Sequence, residues 1–224
     1  KLFGETRQLK GLPSKTSKVT TFSTSSYAPS SLNAIICRTN ATAFEYFFKF
    51  HGYLNGEKKI RLEVDGKRSK DIFSGIFQLR ANKRPTCKEL QNFSSYQELV
   101  DHIQVFGEVE GATTELKTFL DLTNQYSWQV IEWALENSMA DDETDPKNTL
   151  VISTSHKSKG LEWDNVLIAK GFNYKILDKK LMISADEKRL LYVTVTRAKN
   201  ILFTDGINDL LEHLNSKNTE ISNA

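Results

Sequence analysis

Short apolar runs that lead straight into polar loops constrain this chain more than any other feature. NAIIC (33–37), LVIST (150–154), VLIAK (166–170) and ILFT (201–204) read as buried strands, with VTTF (19–22) and KIRLEV (59–64) as further candidates. Between them lie segments of helical period. ATAFEYFFKF (41–50) places Phe44, Phe47 and Phe48 at helical spacing, SKDIFSGIFQLRA (69–81) is amphipathic, and INDLLEHL (207–214) closes the ordered part. Strands alternating with helices predict an α/β fold with a mostly parallel sheet, whose ligands bind at the carboxyl ends of the strands. The segment YVTVT (192–196) supports two readings: its β-branched alternation suits a strand, whereas Asp186-Glu187 and the Lys-Arg-Leu-Leu that follow suit a helix.

Charge divides the chain. Residues 1–85 hold 16 Lys/Arg against 6 Asp/Glu and residues 147–199 hold 11 against 5, while 86–146 hold 2 against 13. An acidic block between two basic ones fits a solvated acidic helical face or an insertion into a domain that meets a polyanion. Residues 88–138 have helical spacing, with Ser95 and Thr114 as candidate caps, and DDETDPKN (141–148) reads as a linker. The expected organisation is an irregular lead-in at 1–18, one domain formed by 19–85 and 147–215, an acidic helical insert at 86–146 that lifts out as a unit, and a frayed tail at 216–224.

The most unusual loop is HKSKGLEWDNV (156–166), between two strand runs. Ser155, His156, Ser158 and Lys159 offer donors suited to phosphate oxygens, and Gly160 lets backbone approach a ligand closely. Glu162 suits a hydroxyl or a cation. The same residues also fit a solvated loop with Leu161 and Trp163 in the core and Glu162 as a helix-start carboxylate. Arg38-Thr39-Asn40 follows NAIIC and offers a guanidinium and an amide for nucleic acid. Arg197, at the end of YVTVT, is the residue type that stabilises charge in phosphoryl transfer.

Neither G-x-x-x-x-G-K-[ST] nor G-x-G-x-x-G occurs, so the chain has the parts to complete a phosphate site without a triphosphate cradle of its own. Cys37 and Cys87 form no spaced cluster with the four histidines, which argues against a zinc site or a disulfide framework and for reduced thiols. With no signal peptide and no apolar run near the roughly 18 residues of a membrane span, the expected location is cytoplasmic and no membrane is involved. A first residue Lys1 in place of Met suggests a piece of something longer.

Taken in order, IICRTNA, TSHKSKGLEWDNV and EKRLLYVTVTRAK resemble the C-terminal half of superfamily I DNA helicases of the UvrD/Rep/PcrA type, nearest to their F-box DNA helicase branch. The segment T-x-H-x-x-K-G-L-E-[FW] is similar to that family's motif V, with Trp163 where Phe is commoner, and L-x-Y-V-x-x-T-R-A to its motif VI. The resemblance covers roughly residues 30–84 and 147–205. It implies a RecA-like domain 2A with a mostly parallel sheet, interrupted by a small helical insert in the place of domain 2B. It also settles YVTVT as helix. By resemblance Arg197 is an arginine finger and catalytic residue, and Gly160 and Glu162 address the nucleotide. Arg38, Thr39, Asn40, His156 and Lys159 line a single-stranded DNA track. ATP and Mg2+ would be bound mainly by an N-terminal RecA-like domain outside this chain, because the Walker A lysine, the Asp-Glu metal site and a Q-x-x-Y-R segment are absent from it. The implied activity is that of an ATP-dependent DNA helicase, with this chain inactive alone. Implied partners are single-stranded DNA, the N-terminal helicase domain and repair or recombination proteins. The competing reading is a stand-alone nucleic-acid-binding or regulatory module without ATPase activity.

Overall fold

The computed structural model describes residues 17–22, 27–106, 111–137 and 148–222. In chain order the elements are β1 (Lys18–Thr20), a short 3-10 turn (Pro29–Ser31), β2 (Ala34–Cys37), α1 (Asn40–Leu54), β3 (Lys59–Glu63), α2 (Gly66–Arg80), α3 (Tyr96–Phe106), α4 (Gly111–Gln125) and α5 (Trp128–Asn137). There follow β4 (Thr149–Thr154), β5 (Trp163–Ile168), β6 (Tyr174–Leu177), β7 (Lys180–Ile183), α6 (Ala185–Val195), β8 (Ala198–Phe203) and α7 (Asn208–Ser222). Six strands form one sheet in the order β1-β8-β5-β2-β4-β3, and β6 pairs with β7. The pairings β1–β8, β5–β8 and β2–β5 are parallel, as the alternation of apolar strands with helices predicts. All four residues of β2 are buried. This is the mixed α/β architecture expected of a RecA-like helicase domain.

Local chemistry sets most boundaries. Asp65 caps α2 through an acceptor bond from Arg68 N (3.1 Å), so that helix starts three residues before the expected Ser69. Ser95 caps α3, its hydroxyl accepting from Glu98 N at 3.2 Å, while the Glu98 carboxylate accepts from the Ser94 hydroxyl (2.6 Å) and amide (2.7 Å). Those two bonds, the hydroxyl first, hold Glu98 below the usual carboxylate range. Thr114 is no cap, because α4 already begins at Gly111. YVTVT lies in α6 and in the turn that ends it, since the Ser184 cap and the acidic first turn outweigh β-branched propensity. α7 runs through Ser222, past residue 216 where fraying is expected from the sequence.

The chain forms two compact units, residues 1–38 with 153–224, and residues 39–152. In the first, Ile168, Phe172, Leu190, Leu191, Ile207 and Leu210 build a core against which Tyr174, Leu181 and Ile183 of the β6–β7 hairpin pack. Tyr174 also donates to Asp209, and burial, followed by that carboxylate, raises its phenol well above its ordinary range. In the second unit Phe73 of α2 meets Phe44 of α1 edge-on at 5.3 Å and Phe119 of α4 at 4.7 Å, all three fully buried.

α3, α4 and α5 share one compact unit with α1 and α2. Apolar packing of α4 on α2 is joined by ion pairs: Arg68 reaches Glu89 and Glu115, each at 3.0 Å, and Lys70 reaches Glu132 at 3.9 Å. The acidic segment is matched by the basic face of α2, so its charge is in part that of an internal interface. Replacing 86–146 by a short Gly/Ser linker is expected to expose Phe73 and leave the product in the insoluble fraction. A soluble, cooperatively melting deletion variant would show instead that α1 and α2 hold together without it.

No helix among the described residues is long and apolar enough to cross a membrane.

Candidate functional site

In the first unit α6 holds chemistry at both ends. Its cap Ser184 accepts from Glu187 N at 3.1 Å. In a capping box the Glu side chain would turn back to the cap residue's own amide. Glu187 instead sends its carboxylate inward, 3% exposed, where it accepts from Arg38 Nε (3.1 and 3.0 Å to its two oxygens) and from Asn173 N (2.8 Å). A carboxylate taken out of water is tolerated only with such full pairing. Arg38, at the carboxyl end of β2, is thereby fixed by Nε, and its NH1 and NH2 have no hydrogen-bond partner among the described residues.

At the other end of α6, Arg197 is tied down by three donor bonds. Nε donates to Val193 O (2.7 Å), NH1 to Leu161 O (2.9 Å) and NH2 to Thr196 Oγ1 (2.9 Å). Of its five N–H groups, two are left over in a half-exposed position. Beside it the β5–β8 pairing slips. Trp163 faces Ala198 but Asn165 faces Ile201, which puts an extra residue on β8 directly after Arg197.

The loop 155–162 leaves β4 and closes against this end of α6. Its hydroxyls are bonded within the fold. Ser155 and Ser158 are fully buried: Ser155 Oγ donates to Cys37 O (3.2 Å), Ser158 Oγ donates to Ser155 O (2.9 Å), and Thr194 Oγ1 of α6 lies 2.8 Å from Ser155 Oγ. Short hydroxyls next to a strand end find backbone acceptors before they find solvent. His156, Lys159 and Gly160 are exposed. Gly160 has φ +81° with nothing within 4 Å of a built Cβ, so the backbone conformation and not crowding requires glycine there. Leu161 is 45% exposed instead of joining the core, and Glu162 precedes a strand, not a helix, where Lys199 stands 3.9 Å away in an exposed pair.

In the second unit Thr39 is the cap of α1, its hydroxyl accepting from Thr42 N at 3.2 Å. Asn40 Oδ1 accepts from Asp65 N (3.1 Å), and Asn40 N donates to Glu115 (3.1 Å). The acceptor atoms of both side chains thus serve the fold.

A family model for the UvrD-like helicase C-terminal domain matches residues 29–207. The chain belongs to that family. The chain of this UvrD-like domain is 29% identical over 169 residues to F-box DNA helicase protein 1 of Schizosaccharomyces pombe, covering 70% of the chain, and 28% identical over 207 residues to F-box DNA helicase 1 of Gallus gallus, covering 80%. It spans 19% of the length of each.

Within the UvrD-like domain the fold gathers Arg38, His156, Lys159, Gly160, Glu162 and Arg197 into one compact unit and leaves Thr39 and Asn40 to the other. Two residues that hold the site's side chains in place were not assigned that part by the sequence. Glu187 had a usable signal in Ser184-x-x-Glu187, although that pattern predicts a cap and not a buried partner for Arg38. Thr194 had none, since its role depends on α6 crossing the end of β4. No group of three His, Cys, Asp or Glu able to hold a metal ion stands together among the described residues.

Proposed function

We propose that this domain is one half of an ATP-dependent DNA helicase or translocase. A second RecA-like domain would carry the triphosphate cradle and the magnesium ligands, and Mg2+ bound there would neutralise phosphate charge. The observation that carries this reading is the placing of Arg197: a guanidinium at the end of α6 with three N–H bonds fixed and two left over, one of the three made to the loop that carries His156 and Lys159. Such an arginine is pre-organised for charge that develops on a transferring γ-phosphoryl group. Gly160 would let backbone approach the nucleotide, and Glu162 would accept from a ribose hydroxyl. His156 and Lys159 would contact single-stranded DNA phosphates, with Arg38 contributing through NH1 and NH2. Thr39 and Asn40 would offer DNA polar contacts of their own, chiefly through Asn40 Nδ2. Residues 86–146 stand by position where the family carries domain 2B. In the longer protein, closure around ATP and its release after hydrolysis would move the two RecA-like domains along the strand, and repair or recombination proteins are the partners such an activity serves.

The test is ATPase activity of the longer protein, measured with and without single-stranded DNA. Stimulation by DNA supports the reading, and turnover indifferent to DNA overturns it. The chain alone is expected to bind single-stranded DNA weakly, with a log–log salt slope of about −2 for roughly three neutralised phosphates. Fluorescence anisotropy that shows tight, salt-indifferent binding would remove His156 and Lys159 from the interface.

A further inference from the structure

Loop 155–162 is an arch with both feet on the last turn of α6. At one foot the Thr194 hydroxyl meets Ser155 Oγ at 2.8 Å. At the other, Arg197 NH1 donates to Leu161 O (2.9 Å) and Trp163 N donates to Arg197 O (2.9 Å). The feet are themselves joined, since Arg197 N donates to Thr194 O at 3.2 Å. Between them the exposed top carries His156, Lys159 and Gly160. Thr194 and Ser155 are fully buried, so their contact is shielded from the water that would otherwise compete for it.

We infer that Thr194 and Ser155 are positioning residues that couple nucleic acid on this loop to the placing of Arg197. A phosphate backbone drawn to Lys159 and His156 shifts the arch. With both feet held, the shift passes to the final turn of α6 and so to the guanidinium. With the Ser155 foot released, the loop pivots about its remaining foot and less of the shift reaches the final turn of α6. This rests on the proposed ATPase reading and deepens it by naming how DNA stimulates turnover.

The experiment uses the longer protein and reads the ratio of ATPase rates with saturating single-stranded DNA and without it. Thr194→Val keeps the shape of the side chain and removes the hydroxyl. It is expected to lower the ratio about tenfold, the rate equivalent of one hydrogen bond, while basal turnover holds. Thr194→Ser is expected to restore the ratio. A merely structural Thr194 would instead lower both rates together, in step with the thermal melt. Ser155→Ala opens the same foot from the other side, so the double variant is expected to be no worse than either single one. A ratio within twofold of wild type in Thr194→Val, or additive losses in the double variant, overturns the inference. Arg197→Ala, run in parallel, separates this failure from that of the ATPase reading: unchanged turnover there removes both.

Discussion

Arg197→Ala in the longer protein is expected to lower kcat for DNA-stimulated ATP hydrolysis by on the order of 10³-fold while apparent ATP affinity changes far less. A guanidinium aimed at a transferring phosphoryl group meets more charge in the transition state than in bound ATP, so its loss appears in kcat. Arg197→Lys is expected to rescue little. A lysine has one charged nitrogen on a flexible stem and cannot donate at once to Val193 O, Leu161 O and a phosphate. The bonds in the structure also give Arg197 a local role, because three acceptors lose a donor in the alanine variant. That loss should cost about 1–3 kcal/mol of stability in a half-exposed position. Melts run beside steady-state assays keep the two roles apart. A near-wild-type kcat in a variant with a lowered melting temperature would leave Arg197 as a loop clamp and take the finger out of the proposed mechanism.

Gly206→Ala is expected to destabilise the first unit by about 3 kcal/mol or more. A Cβ built on Gly206 falls 2.0 Å from Ala169 O and 2.3 Å from Ala169 C. Both are backbone atoms, so no rotamer relieves the clash. Ala169 cannot step aside, because it is fully buried and its amide donates to Ile36 O at 2.9 Å. Backing Gly206 away breaks its own bond to Ile168 O (3.0 Å) and disturbs the core around Ile168 and Ile207. At roughly 2–4 °C per kcal/mol for a chain of this size, the melting temperature should fall by about 6–12 °C. Gly52→Ala is the control. That glycine lies within α1 with nothing within 4 Å of its Cβ, so alanine is expected to stabilise by about 0.5–1 kcal/mol. If Gly206→Ala melts within about 2 °C of wild type, the turn between β8 and α7 does not pack against the end of β5 as described.

Much of the fold was legible because its strands are short, apolar and bounded by polar loops. NAIIC and LVIST became β2 and β4 within a residue, and the helices of 41–50 and 69–81 became α1 and α2. The β6–β7 hairpin was not. Its two-residue turn, Asp178-Lys179, has φ of +49° and +58°, a conformation usually announced by Asn-Gly or Asp-Gly, and lysine gives no such signal. The hairpin forms because Tyr174, Leu181 and Ile183 find a core to cover.

The sequence by itself determined the parallel α/β architecture, the family, and the residue types gathered in HKSKGLEW and TRA, because strand period, loop polarity and motif spacing are local properties. Only the tertiary structure decided which of those side chains remain available. The hydroxyls of Ser155 and Ser158 looked like ligand donors and are spent on backbone, the Thr39 oxygen accepts at a helix cap, and Glu187, which in the sequence reads as part of an acidic first turn, is buried to hold Arg38. Carboxylates of the acidic block meet Arg68 and Lys70 of α2, partners that a charge count cannot name. A hydroxyl or a carboxylate in a sequence has no assigned partner. It takes the nearest one that burial forces upon it, and which one is nearest depends on how distant segments pack.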